Sequence, residues 1–173
     1  NYEVIDLGVM VPAETILDEA KKHHVDIIGL SGLITPSLDE MVHMAAEMER
    51  LEMNIPLLIG GATTSRIHTA VKIDPKYSHA AVYVPDASRA VGVAGELLSE
   101  ERSRVYIQGI KDEYQQMRDE RGKRTANRKS FTLQQARDNA YKGDWDNYTP
   151  PKPSFLGIKV FEDFSLEELT QYI

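Results

Sequence analysis

Short aliphatic runs alternate with amphipathic helical stretches through the first hundred residues, and no other feature limits the fold so strongly. The runs are Val4 to Leu7, Asp26 to Leu30, Pro56 to Ile59 and Ala81 to Val84, each bounded by Gly, Pro or Asp. After the first, Ala13, Ile16, Leu17 and Ala20 repeat at helical spacing, with Pro12 suited to the first helical position. After the second, Leu38, Met41, Val42 and Ala45 do the same. Ser37 and Glu40 there form an S-x-x-E capping pattern, and Thr35-Pro36 offers a competing start. A third helix is expected after Thr64, and a fourth from about Asp86 to Leu98, with Val91, Ala94 and Leu98 on one face. Strand alternating with helix predicts an α/β fold: a parallel sheet with helices on both faces. Ligands of such sheets bind beyond the carboxyl ends of the strands. Residues 31–37, 60–65 and 85–88 each follow a strand, so the three loops are expected on one rim.

The remaining chain differs in character. Residues 100–120 are charged, with Tyr106, Ile110, Tyr114 and Met117 at nearly helical spacing, and read as an exposed helix. RGKRTANRK (121–129) holds five basic residues and no acid, and reads as a solvated, mobile linker. Thr132 and Gln135 suit a helix cap, and a Pro-rich connector, YKGDWDNYTPPKP, follows. FLGIKVFEDFSLEELTQYI then reads as a strand and a helix opened by Ser165 and Glu168, the start of a second domain. The expected division is residues 1–99, a connecting stretch 100–154, and 155–173.

Composition narrows the function. Hydrophobic residues make up 42% of 173, enough for a core, and no run approaches the ~20 apolar residues of a membrane span. A net charge of −7 disfavours a general nucleic-acid binder. With no cysteine there is no disulfide, thiolate zinc site or Cys nucleophile, which fits a cytoplasmic setting. The five histidines share no metal-ligand spacing, and no Ser-His-Asp set or acid pair is readable. Gly60-Gly61 after Leu57-Leu58-Ile59 suits either a plain strand-to-helix turn or a ligand lying flat on the backbone. It matches neither G-x-G-x-x-G nor a phosphate loop. Ser31, Thr35 and Ser37 could be local caps; Ser31 at the strand tip is the hardest to explain so. The residues alone indicate a small-ligand-binding α/β domain without catalytic machinery.

Ser31-x-Leu33, then 26 residues, then Gly60-Gly61 resembles the second half of a cobalamin-binding signature, D-x-H-x-x-G…S-x-L…G-G. The longer runs VIDLGVMVP, DIIGLSGLITPSLDEM, IPLLIGGATTS and HTAVKI resemble the cobalamin-dependent methionine synthase family, and PPKPSFLGIKVFEDFSLEELTQYI resembles its S-adenosylmethionine-binding reactivation domain. The resemblance implies a flavodoxin-like Rossmann domain that binds cobalamin with its lower base detached. It implies that Ser31 and Thr35 contact the cofactor, that Gly60 and Gly61 line the channel for the dimethylbenzimidazole tail, and that Ala87 is a further contact. It makes Ser37 the end of a Ser–Asp–His relay to cobalt. It further implies methyl transfer from 5-methyltetrahydrofolate through methylcobalamin to homocysteine. Zinc, S-adenosylmethionine, the homocysteine- and folate-binding domains and a flavodoxin- or reductase-type electron donor would lie outside this sequence.

One departure matters. No His here has Asp two residues before it, so the D-x-H-x-x-G segment is absent. The axial His is expected upstream of Asn1, with the first, central strand, and this chain alone is expected to be inactive. A stand-alone corrinoid carrier is the alternative, disfavoured by the tail from Phe155. A signalling receiver is disfavoured by Ser31 where a phosphoacceptor Asp would stand.

Overall fold

The computed structural model describes residues 2–126 and 130–172. The chain divides into two compact units, Asn1–Arg128 and Lys129–Ile173. In the first, strands β1 (Ile28–Ser31), β2 (Leu57–Gly60) and β3 (Ala81–Tyr83) form a parallel sheet in the order β1-β2-β3. Helix α1 (Ala13–Lys22) leads into β1, and α2 (Pro36–Arg50) crosses from β1 to β2. Between β2 and β3 a helical turn, α3 (Arg66–His68), runs into a π-turn (Thr69–Ile73) and a 3-10 turn (Asp74–Lys76). Helices α4 (Ala87–Leu97) and α5 (Ser103–Ala126) follow.

The period-2 side-chain alternation of a strand divides the core. Ile28, Leu57, Ile59 and Ala81 pack on one face with Leu17, Ala20, Met41, Met44 and Met48 of α1 and α2. Leu58 and Val82 turn to the other face, against Val93 and Leu97 of α4 and Tyr106, Ile107 and Ile110 of α5. The expected α/β architecture with helices on both faces is therefore present, consistent with a flavodoxin-like fold. Helices α1 and α2 end alike: His24 and Glu52 take left-handed φ values of 50° and 52°, while the Val25 and Met53 amides donate to the Ala20 and Met48 carbonyls. These are Schellman closures without glycine.

In this unit four local expectations need correction. Val4 to Leu7 is exposed and forms no strand: among the described residues the ladders are β1–β2 and β2–β3, and this run joins neither. Ser37 does not cap α2. Pro36 opens the helix, Thr35 is already helical (φ −53°, ψ −40°), and the Ser37 amide is spent on the Ile34 carbonyl at 3.0 Å. The helix expected over 100–120 is not an exposed one: Tyr114 is 1% accessible, since Tyr106, Ile110 and Tyr114 recur on the buried face. Helix α5 also continues through residues 121–126 of the basic stretch, and 127–129 lie outside the described residues.

In the second unit, α6 (Leu133–Asp138) carries the expected reciprocal cap between Thr132 and Gln135. Tyr141, Trp145 and Tyr148 stack edge to face. Ser165 caps α7 (Leu166–Leu169) through the Glu168 amide at 3.4 Å. The strand expected from Phe155 is absent; nothing described in this unit pairs with it, and Leu156, Ile158 and Val160 are exposed. Among the described residues no helix is long and apolar enough to cross a membrane.

Candidate functional site

Because all three strands are parallel, their carboxyl ends share one edge, as expected. Ser31 and Gly60 are register partners, and the Gly32 amide donates to the Gly60 carbonyl at 2.9 Å, extending the β1–β2 ladder one step beyond Ser31. Thr63 then ties the two loops together. Its amide and its hydroxyl both donate to the Gly32 carbonyl, at 3.2 and 3.1 Å. The Thr64 hydroxyl donates to the Gly61 carbonyl at 2.8 Å, and the Ser65 hydroxyl caps α3 by accepting from the His68 amide.

The glycines are explained first by this packing. Gly61 has φ +102°, and a Cβ there would fall on the Gly32 amide nitrogen and carbonyl oxygen. Gly60 faces the Val84 carbonyl, 3.2 Å from where a Cβ would stand. Gly32 is enclosed by Met41 Cε, Thr63 Oγ1 and Ser37 Cβ at 3.0–3.3 Å from its own missing Cβ. The two loops thus close on each other through bare backbone, which only glycine permits.

The hydroxyl groups behave differently. Ser31 and Thr35 are exposed and Ser37 is half-buried, and none of the three side chains forms a hydrogen bond among the described residues. Ala87 opens α4 on the same edge, exposed, just after Asp86, whose carboxylate accepts from the Arg89 amide at 2.9 Å. Ser31, Thr35, Ser37, Gly60 and Gly61 are therefore brought to one rim, with Ala87 on the loop after β3. Gly32 and Thr63 were not singled out from the sequence, although Gly-Ala-Thr-Thr-Ser after a strand carries the signal: small residues for close approach, then hydroxyls to fasten it.

His68, one turn into the following helix, has a buried Nδ1 with no hydrogen-bond partner. Burial pushes its imidazole pKa below the usual value, with Asp39 opposing and Lys72 assisting the shift. Among the described residues no group of three or more His, Asp or Glu side chains could hold a metal. The rim can offer hydroxyls and bare backbone to the periphery of a large polar ligand, chemistry that fits cobalamin's amide-fringed ring. Two shallow depressions, of ≈400 and ≈340 Å³, lie elsewhere: around His24 and Met53, and between α1 and α2. Neither includes a rim residue.

Residues 1–75 match the family model of the B12 binding domain. That stretch contains Ser31, Thr35, Ser37, Gly60 and Gly61 and stops short of Ala87. Among solved structures the chain is similar to a novel cobalamin-binding protein from Desulfitobacterium hafniense DCB-2, with 24% identity and a TM-score of 0.48. The similarity covers 57% of this chain and 46% of the other, so it spans less than half of that protein. The family match, on the segment that builds the β1 and β2 rim loops, supports a cobalamin-binding module there.

Proposed function

We propose that this chain is the cobalamin-carrying segment of a methionine synthase, holding the cofactor at the rim of β1 and β2. The observation that carries the reading is a coincidence: the B12-binding-domain match covers the loops where three hydroxyls stand without a partner. Ser31 and Thr35 would hydrogen-bond the polar periphery of the cofactor, and Ala87 would contact it from the third loop. Gly60 and Gly61 would border the nucleotide tail with backbone alone. Bound cobalamin supplies a metal that accepts a methyl group from one substrate and delivers it to another. Ser37 would end a proton relay to an axial His from a segment outside this sequence; its hydroxyl is uncommitted, as a relay member must be. Residues 1–99 would form the cofactor module and 100–154 the connection, with 155–173 opening an S-adenosylmethionine-binding reactivation domain. Zinc, the folate and homocysteine domains and a flavodoxin- or reductase-type donor belong to the same proposal, as does a cytoplasmic location.

A stand-alone corrinoid carrier is the competing reading, and the two separate in one assay. The complete protein containing this segment is purified, loaded with cobalamin and given 5-methyltetrahydrofolate and homocysteine. Methionine formed without any added subunit is expected. Cobalamin binding with methyl transfer only on adding a separate methyltransferase would make the protein a carrier.

A further inference from the structure

We infer that α5 is a clasp that positions the rim loop Gly60–Ser65 from behind, with Arg118 and Lys111 as positioning residues acting through Asp74. The starting point is a defect in the helix that follows the loop. The Asp74 amide donates to the Thr69 carbonyl, five residues back, so the turn is π rather than α. Ala70 would then look one residue further along for its donor. That residue is Pro75, which has no N–H. The Ala70 carbonyl thus has no donor on its own helix, although Ala70 is fully buried. Arg118 supplies the missing donor: its Nη1 lies 2.7 Å from the Ala70 carbonyl and 2.7 Å from Asp74 Oδ2.

Asp74 is the other half of the clasp. Its side chain is 3% exposed, and Lys111 Nζ takes the second carboxylate oxygen at 2.7 Å while also donating to the Tyr77 carbonyl at 3.0 Å. Both carboxylate oxygens are thereby occupied by cations from α5. A third pair, Arg66 to Glu113 at 2.6 and 2.9 Å, fastens the same helix to the residue next to the Ser65 cap. Ser65 ends the rim loop, and Thr63 and Thr64 join it to Gly32 and Gly61. The line from Arg118 to the rim is therefore continuous: π-turn, α3, Ser65 cap, loop. The chain uses a helix from beyond its sheet to fix a loop that the sheet alone holds from one side. That the loop serves cobalamin rests on the reading proposed above.

Amide hydrogen exchange on the complete protein containing this chain, with and without aquacobalamin, tests the inference. Arg118→Met keeps the apolar stem and removes the donor. Lys111→Met is the milder variant, leaving the Arg118 contacts in place. Arg102→Met, which loses only an exposed pair with Glu96, is the control. Arg118→Met is expected to speed exchange at least tenfold at the Thr63, Thr64, His68, Thr69 and Asp74 amides, and less than twofold at Ile28, Leu57 and the centre of α2. Lys111→Met should show the same distribution at smaller size, and Arg102→Met neither. Aquacobalamin should protect the loop amides of the unmutated chain, and Arg118→Met should lose that protection. Faster exchange spread evenly over the sheet, or unchanged exchange, would overturn the clasp. A loosened loop that cobalamin still protects equally would overturn its positioning role. No protection in the unmutated chain would refute the cobalamin reading, and the ligand-free variants would still decide the clasp.

Discussion

At the β3 edge of the sheet, the Tyr83 amide donates to the Tyr114 hydroxyl at 3.0 Å, and Tyr114 itself, on the inner face of α5, is 1% exposed. At the β1 edge, only the β2 side is paired among the described residues, and Ser31, Leu33, Ile34 and the Val4 to Leu7 run stand in solvent. The first edge is closed by side chains of α5, at least 31 residues downstream of the groups they meet: Tyr114 on Tyr83, with Lys111 and Arg118 on Asp74 nearby. The second leaves ladder groups and three hydroxyls uncommitted. Stability is thus concentrated toward β3 and the groups free for a ligand toward β1, so substitutions at the two edges should be read out differently.

Asp74→Ala should have the largest effect. It leaves two cations without their carboxylate, and breaking a buried pair from one side costs about 3–5 kcal/mol. Glu113→Ala removes an exposed partner and should cost about 0–1 kcal/mol. Urea unfolding of both variants would erase the proposed contrast if the two midpoints moved equally.

Gly61→Ala comes next. Contact with the Gly32 backbone predicts about 1–3 kcal/mol of overpacking, with ~1–2 kcal/mol more for a left-handed alanine. The loss should be seen without any ligand. Unchanged stability with weakened cobalamin binding would instead make this glycine a feature of the tail channel alone.

Tyr114→Phe tests the sealed edge by pH. Burial pushes the Tyr114 and Tyr77 hydroxyls up to about 12, above their ordinary value near 10. A raised folded-state pKa contributes stability fully present below pH 10 and lost as pH climbs toward 12. The unfolding midpoint should fall across that window, and Tyr114→Phe should flatten the fall. At neutral pH the variant should cost about 1–3 kcal/mol, since the Tyr83 amide loses its acceptor.

Ser37→Ala should be the smallest. As an uncommitted hydroxyl inside the first turn, it should change stability by no more than about 0.5 kcal/mol. A loss of ~1 kcal/mol, the value of a true N-cap, would contradict the observed helix start. In the complete protein containing this segment, a displaced pH profile for dissociation of the proposed axial His from cobalt would support the relay.

Much of this arrangement could be read from residues alone. Runs such as Leu57-Leu58-Ile59 between turn residues announce buried parallel strands, and parallel strands place their ends on one rim without further information. Pairing partners are harder. Val4 to Leu7 has strand composition, but a strand is defined by its neighbour, and composition does not name one. The Tyr106, Ile110 and Tyr114 spacing on α5 is legible, but the many charges around it make the helix read as exposed where that face is in fact buried. Three of those charges, Lys111, Glu113 and Arg118, meet partners 37 to 48 residues earlier. No local pattern reveals such distant pairs. The capping pattern at Ser37 failed for a local reason: Thr35-Pro36 starts the helix one residue sooner, and proline's fixed φ prevailed over the S-x-x-E signal.

Backbone amide NMR during titration with aquacobalamin locates the ligand, even for weak binding. Shifts are expected in residues 31–37 and 60–65, with smaller ones at 85–88, and little change at His24, Val25, Met53 and Ile55. Shifts gathered around those last four residues, at the ≈400 Å³ depression, would contradict the rim as the site.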